Sequence, residues 1–239
     1  DAAKRFQRYV YNHPIAKIQL SKLTDHHVTT WRDQIEKTPA LVSRSKKGEP
    51  VTRTRAPATI NRDIAPVRAA LNLAFRRRAV LEDHAWKFAL QPLQTQPGRR
   101  ICLSNTQCKA LLEQMPPDLQ AFARVLCNVP LRPGALAHVN VEDINLATGE
   151  LVIRKDKAGA GRRFVVPKLV LDLARAHSKS KLPRAPVFTR WDGTPWNKDS
   201  WKDGFKKAAA AAGLPPETTM YSLRHSTITD LATGGMDLM

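Results

Sequence analysis

Cysteine is scarce in this sequence. Three are present in 239 residues (Cys102, Cys108 and Cys127), without C-x-x-C spacing or paired histidines at ligand distance. That pattern argues against a disulfide framework and against a zinc site, and it suits reduced thiols in the cytoplasm. Aromatic residues are only 6%, so aliphatic and alanine side chains are expected to fill the core. Long apolar runs are missing: no stretch reaches the roughly 18 residues of a membrane-spanning helix, so no membrane partner is expected. The N-terminal Asp1-Ala2-Ala3-Lys4-Arg5 lacks the apolar centre of a signal peptide. It also lacks an initiator Met, which reads as a processed or trimmed end. Neither a G-x-x-x-x-G-K-[S/T] loop nor an acidic cluster suited to two metals is found, so no nucleotide, metal or other cofactor is expected.

Negative charge is scarce too. The 21 Asp and Glu face 39 Lys and Arg, a formal net charge of +18. Lys and Arg that neutralise phosphates release condensed counterions, so such a balance favours a polyanionic partner. Charge alone does not separate duplex DNA from RNA or an anionic membrane. What is present in quantity is apolar surface, 42% of residues, which suffices for a buried core.

The chain divides near residues 93–100, where Gln94-Thr95-Gln96-Pro97-Gly98 has turn chemistry. This gives a helical domain over 1–95, a linker over 96–100 and a second domain over 101–239. In the first domain a helix starts at Ser21 to Asp25, with Val28, Trp31 and Ile35 at helical spacing. Residues 43–55 read as an exposed loop rich in Ser, Lys, Arg and Thr. A long helix follows, with Thr59 as its expected N-cap and Ile64, Val67, Leu71 and Phe75 on one face. Elsewhere it carries Arg62, Arg68 and the run Arg76-Arg77-Arg78. Residues 1–98 hold 18 Lys and Arg against 8 Asp and Glu. Those five arginines, with Arg53 and Arg55 from the preceding loop, are the expected DNA contacts.

The second domain reads as helices over 105–115, 119–129 and 132–139, then two strands over 150–154 and 163–167 around a glycine-rich turn. Helices over 169–176, 198–212 and 222–233 complete it. The fold class is therefore mainly α with a small β-hairpin, in two domains. Three basic residues punctuate this order: Arg132 at a helix start, Lys157 in the turn, and Arg224 in Tyr221-Ser222-Leu223-Arg224-His225.

Their flanks resemble the tyrosine recombinase (phage integrase) family. Pro130-Leu131-Arg132-Pro133-Gly134-Ala135-Leu136, then Val141-Glu142-Asp143-Ile144-Asn145, resembles the family's first arginine box and its acidic corner. Lys157-Ala158-Gly159, then Arg162-Arg163-Phe164-Val165-Val166-Pro167, is similar to the hairpin lysine and the following "R-x-V-P" strand. Tyr221 to Thr227 resembles the second box, "H-x-L-R-H-(S/T)", and Pro57 to Arg62 the start of the long helix in the core-binding domain. The resemblance implies a helical core-binding domain and a catalytic domain that cleaves and rejoins DNA through a 3′-phosphotyrosyl intermediate, without ATP or metal.

By that resemblance Arg132 and Arg224 clamp the scissile phosphate, since a planar guanidinium binds two non-bridging oxygens at once. Lys157 is the general acid for the 5′ oxygen. Tyr221 stands where the family has His, able to donate a hydrogen bond but not to act as a neutral-pH acid or base. His225 has a supporting role. The family's Gly before the Leu-Arg pair is Pro130 here, and its Glu three residues after the first Arg is Ala135. The nucleophilic tyrosine is expected beyond Met239, because Tyr9 and Tyr11 belong to the wrong domain and Tyr221 matches another role. The implied partners are double-stranded DNA and further copies of the chain in a tetramer, in the cytoplasm of a bacterium or phage host. A non-catalytic DNA-binding relative, a type IB topoisomerase and an RNA-binding structural protein remain alternative readings.

Overall fold

A computed structural model describes residues 2–43, 49–96, 101–154 and 161–234. The chain forms two compact units, Asp1–Gly98 and Arg99–Met239. Both are mainly helical, each with one antiparallel hairpin of two strands. Among the described residues no helix is long and apolar enough to cross a membrane.

The N-terminal unit contains α1 (Ala2–Tyr9), α2 (Asp25–Lys37), β1 (Ala40–Ser43), β2 (Val51–Arg53), α3 (Pro57–Arg76) and α4 (His84–Lys87). Thr24 starts α2: its hydroxyl accepts from the His27 amide, and His27 Nδ1 accepts from the Thr24 amide. Val28, Trp31 and Ile35 then face a core shared with Ile60, Ile64, Val67, Trp86 and Leu90. The two indoles are satisfied as they are buried, Trp31 by the Tyr9 carbonyl at 2.7 Å and Trp86 by Asn72 at 2.9 Å.

Two local expectations are corrected. α3 begins at Pro57 with Ala56 as its N-cap, three residues before the expected cap Thr59. Proline suits the first helical position because its missing N–H would be unbonded there and its φ is already helical. The expected loop over 43–55 contains a strand: β2 pairs with β1, Ala40 lying opposite Arg53 and Leu41 opposite Thr52. Leu41, Val42 and Val51 are all exposed. Neither strand packs a face on a core, so no period-two pattern marks them in the sequence.

The C-terminal unit contains α5 (Asn105–Glu113), α6 (Pro117–Leu126), α7 (Pro133–Leu136), β3 (Glu150–Ile153), β4 (Arg162–Val165), α8 (Lys168–Ser178), α9 (Lys198–Ala211) and α10 (Met220–Thr233). Helix α6 is its centre and packs on α5, α8, α9 and α10. Phe122 is fully buried between Trp201 and Trp196, with ring centroids at 5.5 and 5.8 Å. Gly204 lets α9 close on α6, since a Cβ there would meet Leu119 Cδ2 at 3.1 Å. The helix expected over 132–139 is confined to Pro133–Leu136, with Arg132 as its N-cap.

Candidate active site of the C-terminal unit

Arg224 is placed by the helix that carries it. The buried side of α10 bonds to the surrounding fold through its hydroxyls. Ser226 Oγ accepts from the Leu103 amide at 2.7 Å and donates to the Ser222 carbonyl, while Thr227 Oγ1 donates to the Leu126 carbonyl at 2.7 Å. With Leu223 fully buried beside them, the rotation of α10 about its axis is fixed. Tyr221 and Arg224, one turn apart, then share another face. Tyr221 is 49% exposed and Arg224 is half-buried.

Arg132 comes from the other side. Val129 and Leu131 are buried, and the Leu131 amide donates to the Val129 carbonyl at 2.7 Å, closing a tight turn around Pro130. Next, the Arg132 carbonyl accepts from the Ala135 and Leu136 amides and opens α7. The turn and Arg224 meet directly: Arg224 Nη1 donates to the Pro130 carbonyl at 2.6 Å, across 94 residues of sequence.

The electrostatics fit that meeting. Burial makes the Arg224 guanidinium hold its proton less firmly than in water, and the positive charges of Arg132 and Arg162 push the same way; Tyr221 opposes them. Among the described residues Arg224 makes no ion pair. Arg224 thus lies within electrostatic reach of two further cations, an arrangement that an anion with several oxygens would relieve.

The hairpin carrying Arg162 is rooted in the acidic corner. Asp143 is buried, accepts from the Asn140 amide and binds Arg154 Nε, while Glu142 accepts from Arg154 Nη2 at 2.8 Å. Hydrogen bonding by Asp143 and the two carboxylate charges hold the Arg154 proton more firmly than usual. Ile153 pairs with Arg162 in the ladder. Gly161 passes within 3.2 Å of the Ile153 carbonyl, measured from where a Cβ would stand, so this root is tight.

The sequence-based site residues distribute as follows. Arg132 and Tyr221 lie within electrostatic reach of Arg224, and His225 follows Arg224, half-buried. Lys157 lies outside the described residues. In the N-terminal unit Arg53, Arg62, Arg76, Arg77 and Arg78 are exposed and Arg68 is half-buried. Arg55 is corrected: its side chain is 5% exposed and pairs with Asp63 at 2.7 Å, while also donating to Tyr9 Oη and the Thr38 carbonyl. Its charge is spent inside the unit, so it is not a DNA contact. Sequence reasoning gave Arg162 no role of its own. Its signal was only a doubled arginine at a strand start.

Residues 102–239 match the Phage integrase family. The chain is similar to the tyrosine recombinase XerA of Thermococcus kodakarensis, 27% identical over 186 residues, covering 74% of this chain and 64% of that protein. It is also similar to XerA of Pyrococcus furiosus, 26% identical over 145 residues, covering 57% and 49%. The chain therefore spans half to two thirds of these relatives. Among solved structures, the Tn1549 transposon integrase in complex with transposon right end DNA aligns with a TM-score of 0.73 at 16% identity, over 99% of this chain and 81% of that one. A lambda integrase tetramer bound to a Holliday junction aligns with a TM-score of 0.66 at 15% identity, over 99% and 66%. At these identities the structural likeness establishes the fold.

Proposed function

The chain belongs to the phage integrase family, and from that premise we propose that its protein cuts and rejoins duplex DNA at defined sites. The observation that carries this reading is the docking of the Arg224 guanidinium on the turn that presents Arg132. Two arginines far apart in sequence would then face one phosphate.

Arg132 and Arg224 each bind non-bridging oxygens of the scissile phosphate and stabilise the charge that grows there in the transition state. Arg162, by its position, adds a third positive charge. Tyr221 donates a hydrogen bond to the same phosphate. A tyrosine oxygen attacks phosphorus, the bond to the 5′ oxygen breaks, and Lys157 gives that oxygen a proton. The new phosphodiester to tyrosine stores the bond energy, so rejoining needs no nucleotide. Tyr9 and Tyr11 lie in the N-terminal unit, where Tyr9 donates to Asp63 and is packed with Arg55, and Tyr221 has its own role, so none of the three is the attacking tyrosine in this reading. Residues 1–239 alone would then bind DNA and form no covalent adduct.

The N-terminal unit would grip the duplex through Arg53, Arg62, Arg68 and Arg76 to Arg78. Assembly into a tetramer on DNA follows from the pairing of strand exchanges. A non-catalytic DNA-binding relative is the second reading, favoured by Ala135 where the family has an acidic residue.

The test is adduct formation on a nicked suicide substrate by protein from the complete reading frame. The account expects a denaturant-resistant adduct, lost in Arg132→Ala and in Arg224→Ala while DNA binding is largely kept. Adduct formation by either variant at the wild-type rate would refute the clamp. No adduct from the unaltered complete protein would favour the second reading.

A further inference from the structure

We propose that Pro130 is a positioning residue, whose carbonyl oxygen aims the Arg224 guanidinium at the phosphate. This rests on the clamp described above and names what sets its geometry. The contact is a 2.6 Å hydrogen bond in a partly buried setting.

The turn explains why a proline stands there. Residues 129–131 form a three-residue turn closed from the Leu131 amide to the Val129 carbonyl at 2.7 Å. The central residue of such a turn has φ near −75°, and proline's ring holds φ at about −65°. Proline also has no N–H to divert the chain. The turn's own bond uses the carbonyl before the proline and the amide after it, which leaves the Pro130 carbonyl for another donor. Burial of Val129 and Leu131 on either side prevents the turn from drifting.

The partner's neutrality matters as well. A guanidinium has five N–H donors in a rigid fork. One, on Nη1, is given to Pro130, which fixes the plane and leaves donors for phosphate. A carboxylate in the same place would fix the plane but cancel the charge the phosphate needs. Here a backbone oxygen orients the arginine at no cost in charge. Because the same turn leads into Arg132, the two guanidiniums are set relative to each other by one short piece of backbone.

The experiment uses the complete protein and two suicide substrates, one ordinary and one with a methylphosphonate at the scissile position. The methyl group removes the negative charge that the guanidinium answers, so its aim should matter less on the second substrate. For Pro130→Gly, the expected loss in adduct rate is about tenfold on the phosphate, the scale of one weakened bond to a charged group, with little loss on the methylphosphonate. Arg224→Ala should give the same pattern with a larger loss. Equal slowing of both substrates by Pro130→Gly, with Arg224→Ala still selective, would overturn the positioning role and leave the clamp standing. Equal slowing by Arg224→Ala would overturn the clamp itself. A second measurement avoids the variant altogether: nitrogen-15 NMR of the Arg224 guanidinium in the unaltered protein. Slow rotation about its Nε–Cζ bond is expected, and free rotation would overturn the proposal.

Discussion

The two units treat a withdrawn arginine in opposite ways. In the N-terminal unit Arg55 is buried and paired with Asp63, which also accepts from Arg5 at 3.1 Å and from Tyr9 Oη at 3.3 Å. That network ties α1 and the exit of the β1–β2 hairpin to α3. In the C-terminal unit Arg224 is half-buried, yet its described partner is a neutral carbonyl and its charged neighbours are cations. One guanidinium is neutralised and structural. The other keeps its charge at some expense to stability. Burial alone therefore does not mark an arginine as structural; the charge of its partner decides.

Breaking each side should give contrasting results. The largest effect is expected for Asp63→Ala, which removes the carboxylate that Arg5 and Arg55 share. It should lower the unfolding free energy of the N-terminal unit by about 3–5 kcal/mol, the scale for breaking a buried pair, as measured by denaturant unfolding. A change below about 1 kcal/mol, the scale of exposed pairs, would erase the contrast. Next, Arg224→Met should cost about a hundredfold or more in cleavage yet leave the melting temperature of the C-terminal unit unchanged or raised, because a desolvated cation beside other cations is removed.

Smaller effects sharpen the same comparison. Sulfate, compared with chloride at equal ionic strength, should stabilise the C-terminal unit and not the N-terminal one, as expected of an anion bound only to the native site. Absence of that difference in thermal melts would mean that the three cations do not form an anion site. Finally, Arg77→Ala, at an exposed position, should reduce the slope of log binding constant against log salt by about one unit of phosphate contact, whereas Arg55→Ala should leave that slope alone and lower stability instead.

How much of this was legible depended on the range of the interaction. The starts of α2 and α5 fall within the expected residues 21–25 and at the expected Asn105, and both are set locally, by Thr24 and Ser104 capping through residues three positions away. The order of Arg132 and Arg224 was readable by resemblance, and Arg224 bonds to the carbonyl of Pro130, two residues before Arg132. The β1–β2 hairpin was not readable, because its exposed strands carry no alternation. Arg55 was misread because its partners include Tyr9, 46 residues away, while its local composition is that of a loop. Pro130 was noticed only as a departure from the family's glycine. A backbone carbonyl has no sequence signal, and its use by Arg224 emerges only once α10 is packed against α6. Arg162 was missed for a similar reason: its role depends on hairpin register, set by pairing with Ile153.

The most direct test is a double-mutant cycle on Arg132 and Arg224, read as the rate of covalent adduct formation by the complete protein. Groups that grip one phosphate act as a unit, so Arg132→Ala and Arg224→Ala together should lose little more than either alone. Losses that multiply would mean that the two arginines work at separate places, and would contradict the account.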